Sequence, residues 1–459
     1  MDKSIENELI EDVGRENVTS SLIDMVSYSY DASDHNHRPE AAVCPTSTDH
    51  VARVMRIAAE NRIPVTPRGA GTGLAGSAVP LEGGIVIDLS RMNKILDIRI
   101  EDRQVVVQPG LVYADLDRVL APTGFFFPPD PASSQACTIG GNVATNAGGI
   151  RGAKYGVTRD YVLALEVVLP DGRVMRTGTS CLKTSSGYDL VRLFVGSEGT
   201  LGIITEITLK ISPRPLAHAT SEACFDELGK AGAAVAEIIK AGIVPSVLEI
   251  LDANTIRALK SQAGMDLPDA EAILLVETDG FTKGEATFQM EHVVEVMKKN
   301  GAIQIREADT PAKAAALWKA RKSAGSAAAT MGTNNISEDV AVPISKVPEL
   351  LSRLSSAVRP FGLPFVIFGH AGDGNLHPKI MYDKSDPAQV KTIEALAGEL
   401  FGLACSLGGT LTGEHGIGIA KAPYMSLEHQ AVEIEMMRRV KQAFDPDNIL
   451  NPGKMALFA

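Results

Sequence analysis

Pro67-Arg-Gly-Ala-Gly-Thr-Gly-Leu-Ala-Gly76 sets four glycines within eight residues, so its backbone amides can face an anion with no side chain in the way. Gly71-x-Gly73-x-x-Gly76 matches the letter of the dinucleotide fingerprint, but that fingerprint requires a helix to open inside it. Ser77-Ala-Val-Pro-Leu-Glu-Gly-Gly84 cannot open one, because Pro80 and the Gly83-Gly84 pair interrupt it. Pro64–Pro67 before the loop and Ile85-Val-Ile-Asp-Leu89 after it both read as strands. The loop is therefore expected to cradle a pyrophosphate between two strands. Taken alone, it reads equally well as a structural turn.

Its neighbours decide between these readings. Upstream, Ala42-Val-Cys44 is a short strand stopped by Pro45, and Ser47 or Thr48 caps a helix with Val51, Val54, Met55 and Ala58 on one face. Residues 1–38 hold a helical start and a polar loop containing His35 and His37. Downstream come strands at Ile85–Leu89, Ile95–Ile98 and Gln104–Gln108, an amphipathic helix ending at Leu120, and the aromatic run Phe125-Phe-Phe. Cys137-Thr-Ile-Gly-Gly-Asn-Val-Ala-Thr-Asn-Ala-Gly-Gly149 follows, with small residues that allow a flat ring to approach. Thr138, Asn142 and Thr145 there offer hydrogen bonds. Gly196-Ser-Glu-Gly-Thr-Leu-Gly202 is a third such segment, leading into the strand Ile203–Lys210. Three glycine-rich loops carried by strands within the first 210 residues call for one large, flat, phosphate-bearing ligand.

On these three segments the chain resembles the FAD-linked oxidase family, of the vanillyl-alcohol oxidase type. The resemblance implies an α+β fold: a two-subdomain FAD-binding domain plus a substrate domain with an antiparallel sheet covered by helices. It divides the chain into an N-terminal helical segment (1–35), the FAD domain (36–215), a substrate and metal cap (216–425), and a C-terminal helix and tail returning to the FAD domain (426–459). It implies FAD contacts at Pro67, Arg68, Gly69, Ala70, Gly71, Thr72, Gly73 and Gly76 in the first loop. In the second they fall at Thr138, Gly140, Gly141, Asn142, Thr145, Asn146, Gly148 and Gly149. Glu198, Gly199, Gly202, Ile203 and Asn451 complete the set. No histidine lies between His50 and His218, so the FAD is expected to be noncovalent.

Beyond Pro213 and Pro215 helices and strands alternate, with helices at Phe225–Ala241, Gly284–Asn300 and Asp309–Met331. Strands fall at Ser246–Ile250, Ala272–Glu277, Ala302–Glu307, Asp339–Pro343, Phe365–Gly369 and His377–Tyr382. Trp318 reads as a core residue. Phe368-Gly-His370-Ala-Gly-Asp-Gly-Asn-Leu-His377-Pro brings two histidines across a glycine turn, and Gly408-Gly-Thr-Leu-Thr-Gly-Glu414-His415-Gly-Ile-Gly418 adds a carboxylate and an imidazole. Two His and one Glu suit a divalent cation with open positions. The competing reading is two ordinary glycine turns with half-buried histidines.

These two motifs, with Phe444-Asp-Pro-Asp-Asn-Ile-Leu-Asn-Pro-Gly-Lys454, resemble the FAD-dependent D-2-hydroxyacid dehydrogenases, a group that includes D-lactate dehydrogenases and the FAD subunit of glycolate dehydrogenase. The resemblance implies His370, His377 and Glu414 as ligands of zinc or manganese and His415 as the base. It also implies Asn375 as a substrate contact and Arg321 as the carboxylate anchor. Hydroxyglutarate enzymes carry a lysine just before the Asp-x-x-x-Pro element. Here Ser337-Glu338 precede Asp339-Val-Ala-Val-Pro343, which favours D-lactate or glycolate. The alternatives are a D-2-hydroxyglutarate dehydrogenase, or a flavin-binding subunit inactive alone. A metal-free flavin oxidase and a colourless hydrolase are more distant rivals.

Composition sets outer bounds. A length of 459 residues allows two to four domains, and 45% hydrophobic content describes an ordinary globular chain. A net charge of −12 argues against nucleic acid and anionic membrane as partners. Five scattered cysteines form no Cys-x-x-Cys pair, so the resemblance assigns reoxidation to another protein or a quinone. An iron–sulfur subunit or electron-transferring flavoprotein would serve. The acidic opening residues and the lack of a long apolar run predict no secretory signal, no integral membrane segment and a cytoplasmic location, peripheral to the membrane through a partner.

Overall fold

Ile85-Val-Ile87 is apolar at every position because its strand, Ile85–Asp88, is covered on both faces. It pairs in parallel with Ala41–Val43 on one side and with Val65–Arg68 on the other, and Val18–Thr19 adds an antiparallel edge. The helix Thr48–Asn61 makes the crossover and buries Val51, Val54, Met55 and Ala58, the face its spacing predicts. Ser47 caps it, accepting from the His50 amide at 3.2 Å. A computed structural model describes residues Met1–Leu457 in this way.

The chain falls into two units. The first comprises 1–147, 157–214 and everything described from Glu414 on. Beside the small parallel sheet it contains five antiparallel strands, in the order Ile95–Arg99, Gln104–Val107, Ile203–Lys210, Val162–Val168, Val174–Gly178. Leu116, Leu120, Phe127, Phe194 and Ile207 fill the core against it. The C-terminal helix Ala431–Phe444 closes on this core, with Phe444 edge-on to Phe194 at 5.4 Å between ring centroids.

The second unit comprises Gly148–Gly156 and Pro215–Gly413. Its sheet is antiparallel throughout and runs Gln304–Glu307, Ala217–Phe225, Ala272–Gly280, Val247–Asp252, Phe365–His370, Asn375–Tyr382, Asn334–Ser337. Val340–Ala341 also pairs with Asn375–Tyr382. The helix Pro311–Ala329 lays Ala320, Ala324, Ala327 and Ala328 against Val366 and Phe368. Trp318 packs on the same cluster. The α+β class and two-part architecture match the expectation. Among the described residues, no helix is long and apolar enough to cross a membrane.

Three local expectations need correction. The middle glycine segment is not a loop, because Ile139–Thr145 is helical, capped by Thr138 and held by the buried Ile139 and Val143. Cap and burial outweigh the helix cost of Gly140 and Gly141. The strand Ala217–Phe225 was not foreseen, and the helix after it starts only at Leu228. Thr220, Ser221 and Glu222 are all buried there, which erases the alternation that marks a strand. Glu222 is tolerated because Arg306 on the neighbouring strand donates to it from Nε at 2.7 Å. Finally, two stretches fold with the opposite unit from the linear division. Lys154 and Tyr155 bond Asp279, carrying Gly148–Gly156 into the second unit. Glu414–Met425 joins the first.

Candidate active site

The first unit holds a cavity of about 440 Å³ walled by the glycine loop, the start of the Ile139–Thr145 helix and the Gly196–Gly202 segment. Arg68 is steered into this wall by its bond to the Tyr30 carbonyl at 2.7 Å. Close approach of these segments explains their glycines. A Cβ on Gly69 would meet Thr138 Oγ1 at 2.3 Å, and one on Gly199, at φ +70°, would meet Pro67 Cγ at 2.4 Å. The glycines thus press three pieces of chain together as well as exposing amides.

Of the residues expected to hold a cofactor, Pro67, Arg68, Gly69, Ala70, Gly71, Thr72, Gly73, Thr138, Gly140, Gly141, Asn142, Thr145, Glu198, Gly199, Gly202 and Ile203 line the cavity. Gly76, Asn146 and Asn451 do not line it, and Gly148 and Gly149 fold with the second unit. Asn451 is buried and donates from Nδ2 to the carbonyls of Ser77, at 2.8 Å, and Glu198, at 2.7 Å, tying two loops together. Thr138 Oγ1 accepts from the Gly141 amide, so this hydroxyl is a helix cap. Asn142 is 3% exposed, and among the described residues its Nδ2 meets no acceptor. A buried amide donor on the cavity wall is placed to bond a ligand acceptor such as the carbonyl edge of a flavin.

Glu198 organises the mouth of the cavity. Its carboxylate accepts from Ser77 Oγ at 2.5 Å and from the amides of Ile417 at 2.7 Å and Gly418 at 2.8 Å. Burial pushes its pKa up, and these three bonds oppose the shift. The anchor explains why Gly413-Glu-His-Gly-Ile-Gly418 is conformationally special. Gly416 has φ +84° and would bring a Cβ to 2.8 Å from Glu198 Oε1. The consequence is that Glu414 and His415 both stand on the wall of this cavity. Sequence reading placed them at a metal or substrate; the wall position adds that they face the space between the glycine segments.

In the second unit Glu249 is fully buried and receives Arg321 Nε and, at 2.5 Å, His370 Nδ1. Burial raises its pKa, but the Arg321 guanidinium and His370 outweigh that and hold it at about 2. With Nδ1 committed to Glu249, the His370 ring is oriented in the way carboxylates orient metal-binding histidines. His377 stands edge-on to His370, with ring centroids 5.1 Å apart, and its Nδ1 is 3.6 Å from Asp339 Oδ1. Asp339 is buried and also accepts from Asn375 Nδ2 at 2.6 Å and Thr412 Oγ1 at 2.7 Å. Asn375 gives its second amide contact to the Val340 carbonyl at 3.2 Å. Arg321 also lies over the Phe368 ring at 5.0 Å.

Glu249 and Asp339 are the site residues that sequence reading missed. A signal existed for Glu249: it is one charge inside the apolar strand Val-Leu-Glu-Ile-Leu, and a charge there needs a partner. Glu249→Gln is expected to lose about 1.5–3 kcal/mol of stability near neutral pH, because Arg321 and His370 lose an ionised acceptor. Since the folded pKa is depressed, this contribution is complete above the ordinary glutamate pKa of 4.5 and fades as pH falls toward 2. Denaturant curves of both proteins at neutral and at acid pH check it; a gap that does not narrow with acid contradicts the ionised assignment.

Comparison with known proteins finds two family domains along the chain. Residues 39–178 match the FAD binding domain family and residues 214–455 match FAD linked oxidases, C-terminal domain. The chain is 43% identical over 456 residues to glycolate oxidase subunit GlcD of Bacillus subtilis (strain 168), covering 99% of this chain and 97% of that protein. It is 40% identical over 427 residues to a D-lactate dehydrogenase of Anaerostipes hadrus, covering 91% and 90%. The fold is shared with 4-ethylphenol oxidase from Gulosibacter chungangensis, at a TM-score of 0.78 and 20% identity over 99% of this chain and 97% of that one. The chain belongs to the FAD-linked oxidase family, in its D-2-hydroxyacid dehydrogenase group, and is an FAD-dependent oxidoreductase.

Proposed function

We propose that the protein oxidises a small D-2-hydroxy acid, D-lactate or glycolate, to the 2-oxo acid. One observation carries the reading: a histidine and a glutamate, His415 and Glu414, stand on the wall of the cavity formed by the FAD-binding segments. FAD, when bound, supplies the two-electron acceptor for the Cα hydride. His415 takes the hydroxyl proton on an imidazole nitrogen, a task suited to imidazole near neutral pH. Arg321, aligned by Glu249, pairs with the substrate carboxylate through the nitrogens that Glu249 does not use. Asn375 Oδ1 accepts a hydrogen bond from the substrate. His370, His377 and Glu414 are the ligands we assign to a divalent cation, zinc or manganese, which when bound stabilises negative charge on the hydroxyl oxygen. Their donor set supports this, since both imidazoles have a carboxylate beside Nδ1.

Similarity to a glycolate oxidase subunit and to a D-lactate dehydrogenase supports both substrates, and likeness to a subunit favours a second protein as electron acceptor. An iron–sulfur subunit, an electron-transferring flavoprotein or a quinone would fill that role, with the enzyme cytoplasmic and peripheral to the membrane through it. Anaerobic mixing of the yellow protein with D- and L-2-hydroxy acids tests the reading. Bleaching by D-lactate or glycolate is expected, and chelation is expected to abolish it while the chromophore stays. Bleaching that survives verified metal removal overturns the cation; no bleaching by any 2-hydroxy acid overturns the substrate class.

A further inference from the structure

Asp279 is a buried carboxylate of the second unit that the oxidation reading does not use. It lies near the end of the strand Ala272–Gly280, and a charge taken out of water there has to be bonded. Its partners come from one turn of helix, Gly152–Tyr155: Lys154 donates from Nζ to Oδ1, and Tyr155 donates from Oη to Oδ2 at 2.6 Å. That helix has little stability of its own. It is four residues long, no side chain caps it, and Gly148, Gly149 and Gly156 flank it. A single turn fixes many dihedrals for one hydrogen bond, so contacts outside the helix must hold it.

The helix is pressed against the turn of residues 371–374, which joins His370 to Asn375. A Cβ on Gly372 would stand 2.9 Å from both Ala153 Cβ and Leu248 Cβ, and one on Gly152 would meet Asp373 Oδ2 at 2.1 Å. The turn is thus enclosed between the helix and the strand Val247–Asp252, where the Gly372 amide donates to the Leu248 carbonyl at 3.0 Å. Asp373 Oδ1 accepts from the Asn375 amide at 3.3 Å, so one carboxylate adjoins both the helix and the residue assigned to substrate. His370 and Asn375 are a cross-strand pair at the base of this turn, so displacing it moves both.

We propose that Asp279 is a positioning residue: by holding the helix Gly152–Tyr155 against the turn, it fixes the places of His370 and Asn375. This rests on the oxidation reading, which puts those two side chains at the reacting centre. Asp279 acts through Lys154, Tyr155 and the backbone they carry.

The experiment uses FAD-loaded wild type, Asp279→Ala, which removes both anchors, Asp279→Asn, which keeps an acceptor for Tyr155, and Lys154→Met. Two quantities are read: the dissociation constant for Zn²⁺ and for Mn²⁺, and amide hydrogen exchange of the peptide 371–376. In Asp279→Ala the cation is expected to bind roughly ten- to hundredfold more weakly, the usual cost of disturbing the groups behind a ligand, and the turn to lose protection. Asp279→Asn and Lys154→Met are expected to fall between it and wild type. Adding Lys154→Met to Asp279→Ala is expected to weaken binding no further, because both break one contact. Glu277→Gln, on the same strand but bonded to His218, is expected to change neither quantity. Cation affinity within about threefold of wild type together with full protection of the turn overturns the proposal, as does full additivity of the combination. If Asp279→Ala does not fold, Asp279→Asn and Lys154→Met decide by the same two readings. If wild type binds neither cation, the metal assignment fails by itself, and exchange at the turn still decides the role of Asp279.

Discussion

His415→Ala is expected to keep FAD and fold while losing turnover by roughly 10²–10⁴-fold, the range for removal of a general base. The substitution removes an imidazole from the cavity wall but leaves the turn that carries it intact. That turn is pinned by the Ile417 and Gly418 amides on Glu198 and by the Ile419 amide on the Ala75 carbonyl at 2.8 Å, none of which involves the His415 side chain. Flavin content should therefore match the wild type. Single-turnover bleaching separates chemistry from reoxidation, and loss in the reductive half alone is the expected pattern. A variant that bleaches at the wild-type rate removes His415 from the proton-transfer role.

Asp445→Ala is expected to destabilise the first unit by about 3–5 kcal/mol, the usual cost of leaving one member of a buried ion pair alone. Asp445 and Lys441 are both buried, and Lys441 also donates to the carbonyls of Thr200 and Leu450, each at 2.8 Å. Burial pulls the Lys441 pKa down while Asp445 opposes it, so removing the carboxylate leaves the lysine to neutralise or break its contacts. Asp445 further accepts from the amides of Ile449 at 3.1 Å and Leu450 at 2.8 Å, which orient the chain entering Asn451. FAD retention should fall along with stability, because Thr200 and Asn451 both adjoin the Glu198 hub. Asp445→Asn keeps an acceptor oxygen for one of the two amides and should lose less. Equal stability of Asp445→Ala and wild type in denaturant would show that the pair contributes nothing net.

The two proteins' worth of chemistry in this chain were unequally legible. The glycine loop, the strands around it and the Gly413–Gly418 turn could be read because each depends on backbone conformations that few residue types allow. Phe444-Asp-Pro-Asp-Asn-Ile-Leu-Asn-Pro-Gly-Lys454 could be recognised but not explained. Its Asn451 bonds the carbonyls of Ser77 and Glu198, 374 and 253 positions away. Glu249 escaped notice for the same reason, since Arg321 and His370 lie 72 and 121 positions from it. The middle glycine segment was misread as a loop because its helix is stabilised by a cap and by burial, and only the cap is local.

By itself the sequence determined the family, the α+β class, the three glycine-rich segments that line one cavity and the presence of a His-and-Glu pair near a glycine turn. These follow from local periodicity and from residues whose backbone options are few. Tertiary structure decided which carboxylate orients which histidine, and that Glu198 holds the turn carrying His415 on the cavity wall. Charges buried in a low-dielectric interior are settled by whatever lies within a few ångströms, and distance along the chain carries no information about that.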